Sequence, residues 1–557
     1  MATQEYKLKN LTSLDLKNGQ LQEVEVEGIE EGKILLAKIK DEVHALGSKC
    51  THYGAPLSKG ILTGDGRLTC PWHGACFRVS TGDIEEAPGL DGLMKYELLQ
   101  KNGGVYVKGD AENIKKGGRR TLDIKCKPKG TNQVVIVGGG SAAIGAIEGL
   151  RQGGFQGPIV CLSSEKVLPL DRTKISKALM NDASQLEWRS ADYYKEAGVV
   201  METDDEVTSI DFEGTKVSTK AGRDYPFDKL ILASGGTPKL LPIEGLKGDL
   251  KNVFPLRYVQ DADAVVKAAG EDGSKNVVVV GSSFIGMEVG NALAGKKHKV
   301  QIIGMEEEPM ERVLGKKVGA IFRKLLEKNG VTFHMSAEVD KGIEGSGGKA
   351  GYISAVALKD GTKLEADLVV EGVGIRPSTD YLQRNDAVTL EKDGSLSVDE
   401  TFAVKGLKNV WAIGDIATYP YHGPDGNGKP VRIEHWNVAQ NMGRSVALSI
   451  NNPSKAPKQF IPIFWSAVGS QMRYCGHTPN GFDDVVIQGE TDVSEGKQSW
   501  VAYYAKGEEI VAVATMMKDP YMSQSAELMR VGKMPKKSDI EKGLDIMEIS
   551  VPGLSKI

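Results

Sequence analysis

Two thiols and two imidazoles stand at fixed spacing in one short stretch of this chain, in Cys50-Thr51-His52 and in Cys70-Pro71-Trp72-His73-Gly74. Each loop offers one sulfur and one nitrogen, so the set is usable only if the fold brings both loops to one point. A [2Fe–2S] cluster takes such a set, with Cys50 and Cys70 on one iron and His52 and His73 on the other. A zinc ion could use the same four side chains. Exchanging two thiolates for two neutral imidazoles removes two negative charges, so such a cluster accepts an electron more readily than a four-cysteine one. Around these loops, Leu8 to Val107 consists of short apolar runs such as Ile34 to Ile39 and Val43 to Leu46, broken by Gly, Asn and Asp. That pattern predicts a small antiparallel β domain with the ligand loops at one end.

At 557 residues the chain exceeds a single hydrophobic core, and ordinary domain sizes suggest about three or four. A polar, Lys- and Gly-rich stretch from Gly109 to Gly130 reads as a linker. Beyond it the text changes to β runs alternating with helical segments, the mark of doubly wound sheets. The run Val134 to Val137 leads into Gly138-Gly139-Gly140-Ser141-Ala142-Ala143. There Gly138 permits a tight turn, Gly140 lets backbone N–H groups approach a pyrophosphate, and Ala143 allows close helix packing. After Ile159 to Leu162, Glu165 is placed to reach a ribose hydroxyl. A second unit follows Val277 to Val280, with Gly281, Ser283 in place of the middle glycine, and Gly286. Two such units imply two dinucleotides. The second strand of the later unit, Val300 to Ile303, runs into Gly304-Met305-Glu306 with no Arg beside it for a 2′-phosphate. No clear acid stands at that point either, so the choice between NADH and NADPH is open, with a slight lean to NADH and Glu306 as the substitute acid.

Composition narrows the partners. A net charge of −4 with no basic tract gives no electrostatic case for nucleic acid or an anionic membrane. No apolar run approaches the roughly 18 to 20 residues that span a bilayer. The polar start, Met1 to Lys9, shows neither a secretory signal nor an evident transit peptide, which argues for the cytoplasm. Cys76, Cys126, Cys161 and Cys475 are scattered and read as free thiols. No C-x₄-C or C-x-x-C pair occurs, so disulfide-reductase chemistry is not expected. No two-His-one-carboxylate pattern supports an oxygenase iron.

Two further segments, Phe227-Asp-Lys-Leu-Ile-Leu-Ala-Ser-Gly235 and Val410-Trp-Ala-Ile-Gly414-Asp415, complete a pattern. With them the chain resembles the pyridine-nucleotide-dependent flavoprotein reductases, closely the apoptosis-inducing-factor-like branch with an N-terminal Rieske domain. The flanking residues T-H-x-G-A-P-L and C-P-W-H-G-x-x-F belong to that resemblance and argue against zinc. It implies a multidomain fold: an all-β Rieske domain over 1–110, a linker over 111–130, and two doubly wound α/β dinucleotide-binding domains of glutathione-reductase type. The FAD domain would comprise 131–255 and 376–448, the NAD(P) domain 256–375, and an α+β interface domain 449–557.

The resemblance also proposes roles. Arg172 and Lys177 match positions contacting FAD, and Asp415 one that binds the ribityl chain. Glu288 matches an acid near the nicotinamide, ion-paired with Lys177; these two are the candidate catalytic groups, acting by charge. Trp436 and Trp465 match segments near the isoalloxazine, though each also suits plain core. Respiratory Rieske proteins carry a cysteine pair, a Ser and a Tyr where this chain has Ala55, Trp72, Ala75 and Phe77. Without those hydrogen-bond donors a low-potential, ferredoxin-like cluster is expected. The implied activity is electron transfer from NAD(P)H through FAD to the chain's own [2Fe–2S] cluster and on to a one-electron acceptor, which can be a protein. The alternative is an NADH-responsive redox signalling factor, and a third reading is a reductase serving a separate oxygenase or nitrite-reducing system. Relatives of this branch are often associated with mitochondria, and flavoproteins of this kind can form homodimers.

Overall fold

The computed structural model describes residues 4–552. Its N-terminal region is antiparallel throughout. A six-stranded sheet runs in the order Gln4–Lys7, Gly104–Gly109, Lys95–Lys101, Glu42–Gly47, Lys33–Ile39, Leu21–Glu25. Along Gly104–Gly109, Val105 and Val107 are buried while Tyr106 and Lys108 are not, the period-two alternation of a sheet covered on one face. A four-stranded sheet, Ile61–Leu62, Arg67–Thr69, Cys76–Arg78 and Ile84–Glu86, carries the second ligand loop.

The stretch 111–130 is not a free linker. Asp110 caps a short helix, Ala111–Lys115, and Arg119–Arg120 pairs with Gly92–Leu93. Leu122 and Ile124 are buried in the core of the next domain. The two apolar anchors were hidden by the Lys- and Gly-rich composition around them.

Two parallel five-stranded sheets follow. The first has the order Val199–Glu202, Ile159–Leu162, Val134–Val137, Lys229–Leu232, Val410–Ala412; its last strand comes from far along the chain. The second has the order Val253–Pro255, Leu368–Glu371, Asn276–Val280, Lys299–Ile303, Thr332–His334. Val253–Pro255 pairs with Leu368–Glu371, so the chain enters this sheet ahead of the expected boundary at 255/256. The outgoing and returning crossings between the two sheets are paired with each other, Gly236–Pro238 against Ile375–Pro377. Central strands such as Val134–Val137 and Val277–Val280 are buried on both faces, which is why they read as unbroken apolar runs.

Two long helices of the first domain, Ser141–Gln152 and Trp436–Asn451, cross at very close range. A Cβ on Gly443 would run into the Ala142 carbonyl, and one on Gly145 into the Gln440 carbonyl. That approach brings both helix N-termini to one side of the sheet. The C-terminal region is a five-stranded antiparallel sheet, Ile463–Ala467, Gln471–Gly476, Glu509–Met516, Ser499–Lys506, Asp484–Glu490, backed by helix Tyr521–Arg530. Among the described residues no helix is long and apolar enough to cross a membrane.

Candidate functional site

The ligand loops are near copies of each other. Cys50 N–H donates to the Ala55 carbonyl at 2.8 Å, and Cys70 N–H to the Ala75 carbonyl at 2.8 Å. Gly54 and Gly74 return each loop at φ 76° and 73°, a region that favours glycine. All four ligand side chains are buried. They meet as two pairs: His52 Nδ1 lies 3.1 Å from His73 Nδ1, and the Cys50 and Cys70 thiols stand close enough for each to perturb the other's ionisation. Among the described residues no three His, Cys, Asp or Glu side chains gather as around a single ion. Two pairs are what a two-iron cluster with two protein ligands per iron requires. Burial holds His52 neutral, down to about 3, and neutral imidazole is the ligating form.

Both imidazoles face into the molecule. Trp465 lies 4.5 Å from His73 and 5.3 Å from His52, ring centre to ring centre. His52 also stacks on Tyr53 at 3.7 Å, with Trp188 beyond it at 5.9 Å. Trp188 in turn stacks on Trp436 at 6.0 Å, and Trp465 meets His435 at 5.0 Å. Trp436 opens helix Trp436–Asn451, and its indole N–H and that of Trp188 are buried without a protein partner among the described residues. These orphan donors, and the open space that a Cβ on Gly140 would meet, fit a bound flavin dinucleotide. Burial keeps His435 neutral, down to about 3.

Buried polar contacts lock the N-terminal domain in this position. Ser523 Oγ donates to the Cys70 carbonyl at 2.7 Å, and Thr69 Oγ1 to Glu527 at 2.6 Å. Ala87 N–H donates to Asn441 at 2.8 Å while Asn437 donates back to the Ala87 carbonyl at 3.0 Å. Arg189 bridges Asp91 of the N-terminal domain and Glu148 of helix Ser141–Gln152, at 2.7 Å to each. Tyr53 donates to Asp171. Gly74 lies against the tip of the Ile463 side chain, so the second ligand loop touches the C-terminal sheet.

The expected ion pair is present, Lys177 Nζ to Glu288 Oε1 at 3.0 Å. Glu288 is buried and joins three domains: Ser176 Oγ donates to one oxygen and Ser466 Oγ to the other, the latter at 2.6 Å. Ser466 directly follows Trp465 on strand Ile463–Ala467. Neither serine had a sequence signal. Glu165 pairs with Arg172 at 2.6 Å, and Arg172 also donates to the Arg257 carbonyl at 2.9 Å. Asp415 is bound by Arg257 at 2.8 Å, a partner no motif announced.

The two glycine loops have the expected form. Gly138 and Gly281 turn at φ 113° and 108°, and Gly140 and Ser283 stand immediately before helices Ser141–Gln152 and Phe284–Gly295. Ala143 is buried. A Cβ on Gly286 would enter the Gly281 carbonyl, so the second loop admits only glycine there. Contrary to expectation, an arginine does stand beside the second-strand acid: Arg312 Nε lies 2.6 Å from Glu306 Oε1.

Next to this loop Glu371 ends its strand. One of its oxygens accepts from Leu241 N–H at 3.3 Å and the other is buried without a partner among the described residues. Burial pushes its carboxyl from an ordinary 4.5 up to about 7. The native state then holds this proton more tightly than the unfolded chain, so stability falls as pH rises from about 4.5 to about 7. Glu371→Gln is expected to remove that slope and stabilise the protein at pH 8 by roughly 1–3 kcal/mol. Denaturant midpoints at pH 4.5 and pH 8 test this, and an equal shift at both would contradict it.

Residues 132–443 match the family described as pyridine nucleotide-disulphide oxidoreductase, and residues 7–97 match the Rieske [2Fe-2S] domain. The chain is 39% identical over 533 residues to apoptosis-inducing factor 3 of Homo sapiens, covering 95% of this chain and 84% of that one. It is 31% identical to rubredoxin-NAD(+) reductase of Pseudomonas putida over 60% of this chain and 83% of that one. Among solved structures it is similar to the covalent putidaredoxin reductase–putidaredoxin complex, at 26% identity and TM-score 0.67, over 76% of this chain and 99% of the other.

Proposed function

The chain belongs to the pyridine nucleotide-disulphide oxidoreductase family and carries a Rieske [2Fe-2S] domain, and from that premise we propose that it passes electrons from NAD(P)H through FAD to its own cluster and then to an external one-electron acceptor. The observation that carries this reading is the position of strand Ile463–Ala467. Trp465 touches both candidate cluster histidines, and the next residue, Ser466, holds the acid paired with Lys177.

When bound, FAD supplies hydride acceptance and one-electron release, and the [2Fe–2S] cluster supplies single-electron transfer. Gly138, Gly140 and Ala143 would seat the flavin pyrophosphate at the start of helix Ser141–Gln152. Glu165, Arg172 and Asp415 would hold ribose and ribityl groups, with Arg257 fixing Asp415. Gly281, Ser283 and Gly286 would seat the nicotinamide nucleotide. Lys177 would place a cation where negative charge develops on reduction, and Glu288, fixed by Ser176 and Ser466, moderates it. Trp436 and Trp465 would exclude water beside the isoalloxazine. Cys50, His52, Cys70 and His73 would hold the cluster, and Ala55, Trp72, Ala75 and Phe77 supply no side-chain N–H or O–H to its sulfurs except the Trp72 indole, in keeping with a low potential.

Anaerobic titration with NADH tests this. Flavin absorbance should bleach and the electron paramagnetic resonance signal of a reduced Rieske cluster should follow. A reduced flavin that persists beside an oxidised cluster would contradict the relay and favour a redox-responsive signalling role.

A further inference from the structure

We propose that Tyr53 is a positioning residue for electron transfer: its ring packs on both candidate cluster imidazoles while its hydroxyl is tethered to the segment that carries flavin-contacting side chains. The role in transfer rests on the relay proposed above, whereas the tether stands on geometry alone.

The two ligand loops fold alike but are filled differently. Cys50-Thr51-His52-Tyr53-Gly54-Ala55 and Cys70-Pro71-Trp72-His73-Gly74-Ala75 close with the same two backbone bonds, cysteine N–H to alanine carbonyl and glycine N–H to cysteine carbonyl. The place before the glycine is therefore taken by a candidate ligand, His73, in one loop and by Tyr53 in the other. Tyr53 stacks on His52 at 3.7 Å and 18°, and meets His73 edge-on at 5.5 Å and 85°. One ring thus packs on both imidazoles.

The phenol reaches into the first doubly wound domain. Its hydroxyl donates to Asp171 and lies 3.4 Å from Thr173 Oγ1, and Lys174 Nζ stands 5.0 Å from the ring centre. Asp171 is 2% exposed and its own N–H donates to the Leu186 carbonyl at 2.8 Å, so the acceptor is fixed. A carboxylate acceptor makes such a bond stronger than one between neutral groups. Asp171 begins the run Asp171-Arg172-Thr173-Lys174-Ile175-Ser176-Lys177, which holds Arg172, Lys177 and the serine bound to Glu288. Gly74 lies against Ile463, whereas open space surrounds the Cβ position of Gly54. The tip of the first loop is thus held through Tyr53 and not through its glycine. Without the hydroxyl bond the loop bearing His52 is free to shift against the flavin domain, and displacements of this kind slow a reaction steeply.

The test is Tyr53→Phe, which keeps the ring and removes the tether, in the full chain loaded with FAD and cluster. Cluster reduction after mixing with NADH should slow by roughly tenfold. Flavin bleaching, the resonance spectrum of the reduced cluster and its midpoint potential should not change. Hydrogen exchange of 50–56 and of 170–177 should quicken together, because one bond ties the two segments. Asp171→Ala should slow cluster reduction as much, and the double variant no further, since the two groups act as one unit. An unchanged rate in Tyr53→Phe would overturn the positioning role, and unchanged exchange would overturn the tether. A slower rate with a shifted potential would make Tyr53 a tuner of the cluster and overturn the proposal, as would additive losses in the double variant. If NADH bleaches the flavin of the unaltered protein and never reduces its cluster, the relay reading falls; faster exchange in Tyr53→Phe would still establish the tether, and unchanged exchange would remove it.

Discussion

Replacing Cys50 with Ser, or His73 with Ala, is expected to erase the reduced-cluster signal while NADH still bleaches the flavin at a rate within about twofold of the unaltered protein. The reason lies in the separation of parts. The groups assigned to the nucleotides, Gly138, Gly140, Gly281, Gly286, Lys177 and Glu288, stand on the two doubly wound domains, and none is a cluster ligand. Trp465 and its aromatic neighbours link the two sets. Loss of a ligand removes the electron's destination without disturbing the hydride's. Stopped-flow absorbance with parallel resonance samples reads both events in one preparation. Loss of flavin bleaching in either variant would mean that the two sites are not separable in this way.

The second large effect concerns docking. Arg189 is buried between Asp91 and Glu148, with Arg444 3.7 Å from Glu148 on the far side. Burial would raise the Asp91 carboxyl, but the Arg189 bond and charge outweigh it and hold Asp91 below its ordinary range. Arg189→Ala leaves two buried carboxylates short of their shared partner, a defect that typically costs about 3–5 kcal/mol. Because this bridge joins the N-terminal domain to helix Ser141–Gln152, the variant should lose stability and also transfer electrons to the cluster more slowly, with flavin bleaching retained. Adding Asp91→Asn and Glu148→Gln to Arg189→Ala removes the stranded charge and should recover much of the stability. Denaturant unfolding of the single and triple variants checks this. Equal stability of Arg189→Ala and the unaltered protein would show that the bridge does not hold the domain.

Much of the fold was written in local pattern. The fully buried parallel strands appear as unbroken Val and Ile runs, and the glycine loops declare themselves because Gly138 and Gly281 turn at positive φ and a side chain at Gly286 would strike the Gly281 carbonyl. The cluster ligands are visible for the same reason: spacing within a loop is a local property. What the sequence hid was contact between distant segments. Ser176, Glu288 and Ser466 meet from three domains, and Arg189 joins residues that lie 98 and 41 positions away. Trp465 reads in the sequence as a flavin-side or core aromatic, and the docked N-terminal domain makes it a neighbour of His73. Arg312 escaped notice because the turn at Gly304 folds it back on Glu306, six residues earlier in the chain. The anchors Leu122 and Ile124 were masked by the polar residues on either side.

The central claim is that flavin and cluster exchange electrons within one molecule, across Trp465. Its most direct test is the rate of cluster reduction after anaerobic mixing with excess NADH, measured over a hundredfold range of protein concentration, on the order of 0.1 to 10 μM. Transfer inside the chain predicts a first-order rate that does not change across the range. A rate that rises in proportion to protein concentration would mean that electrons pass between molecules, and the docked domain would not be the flavin's partner.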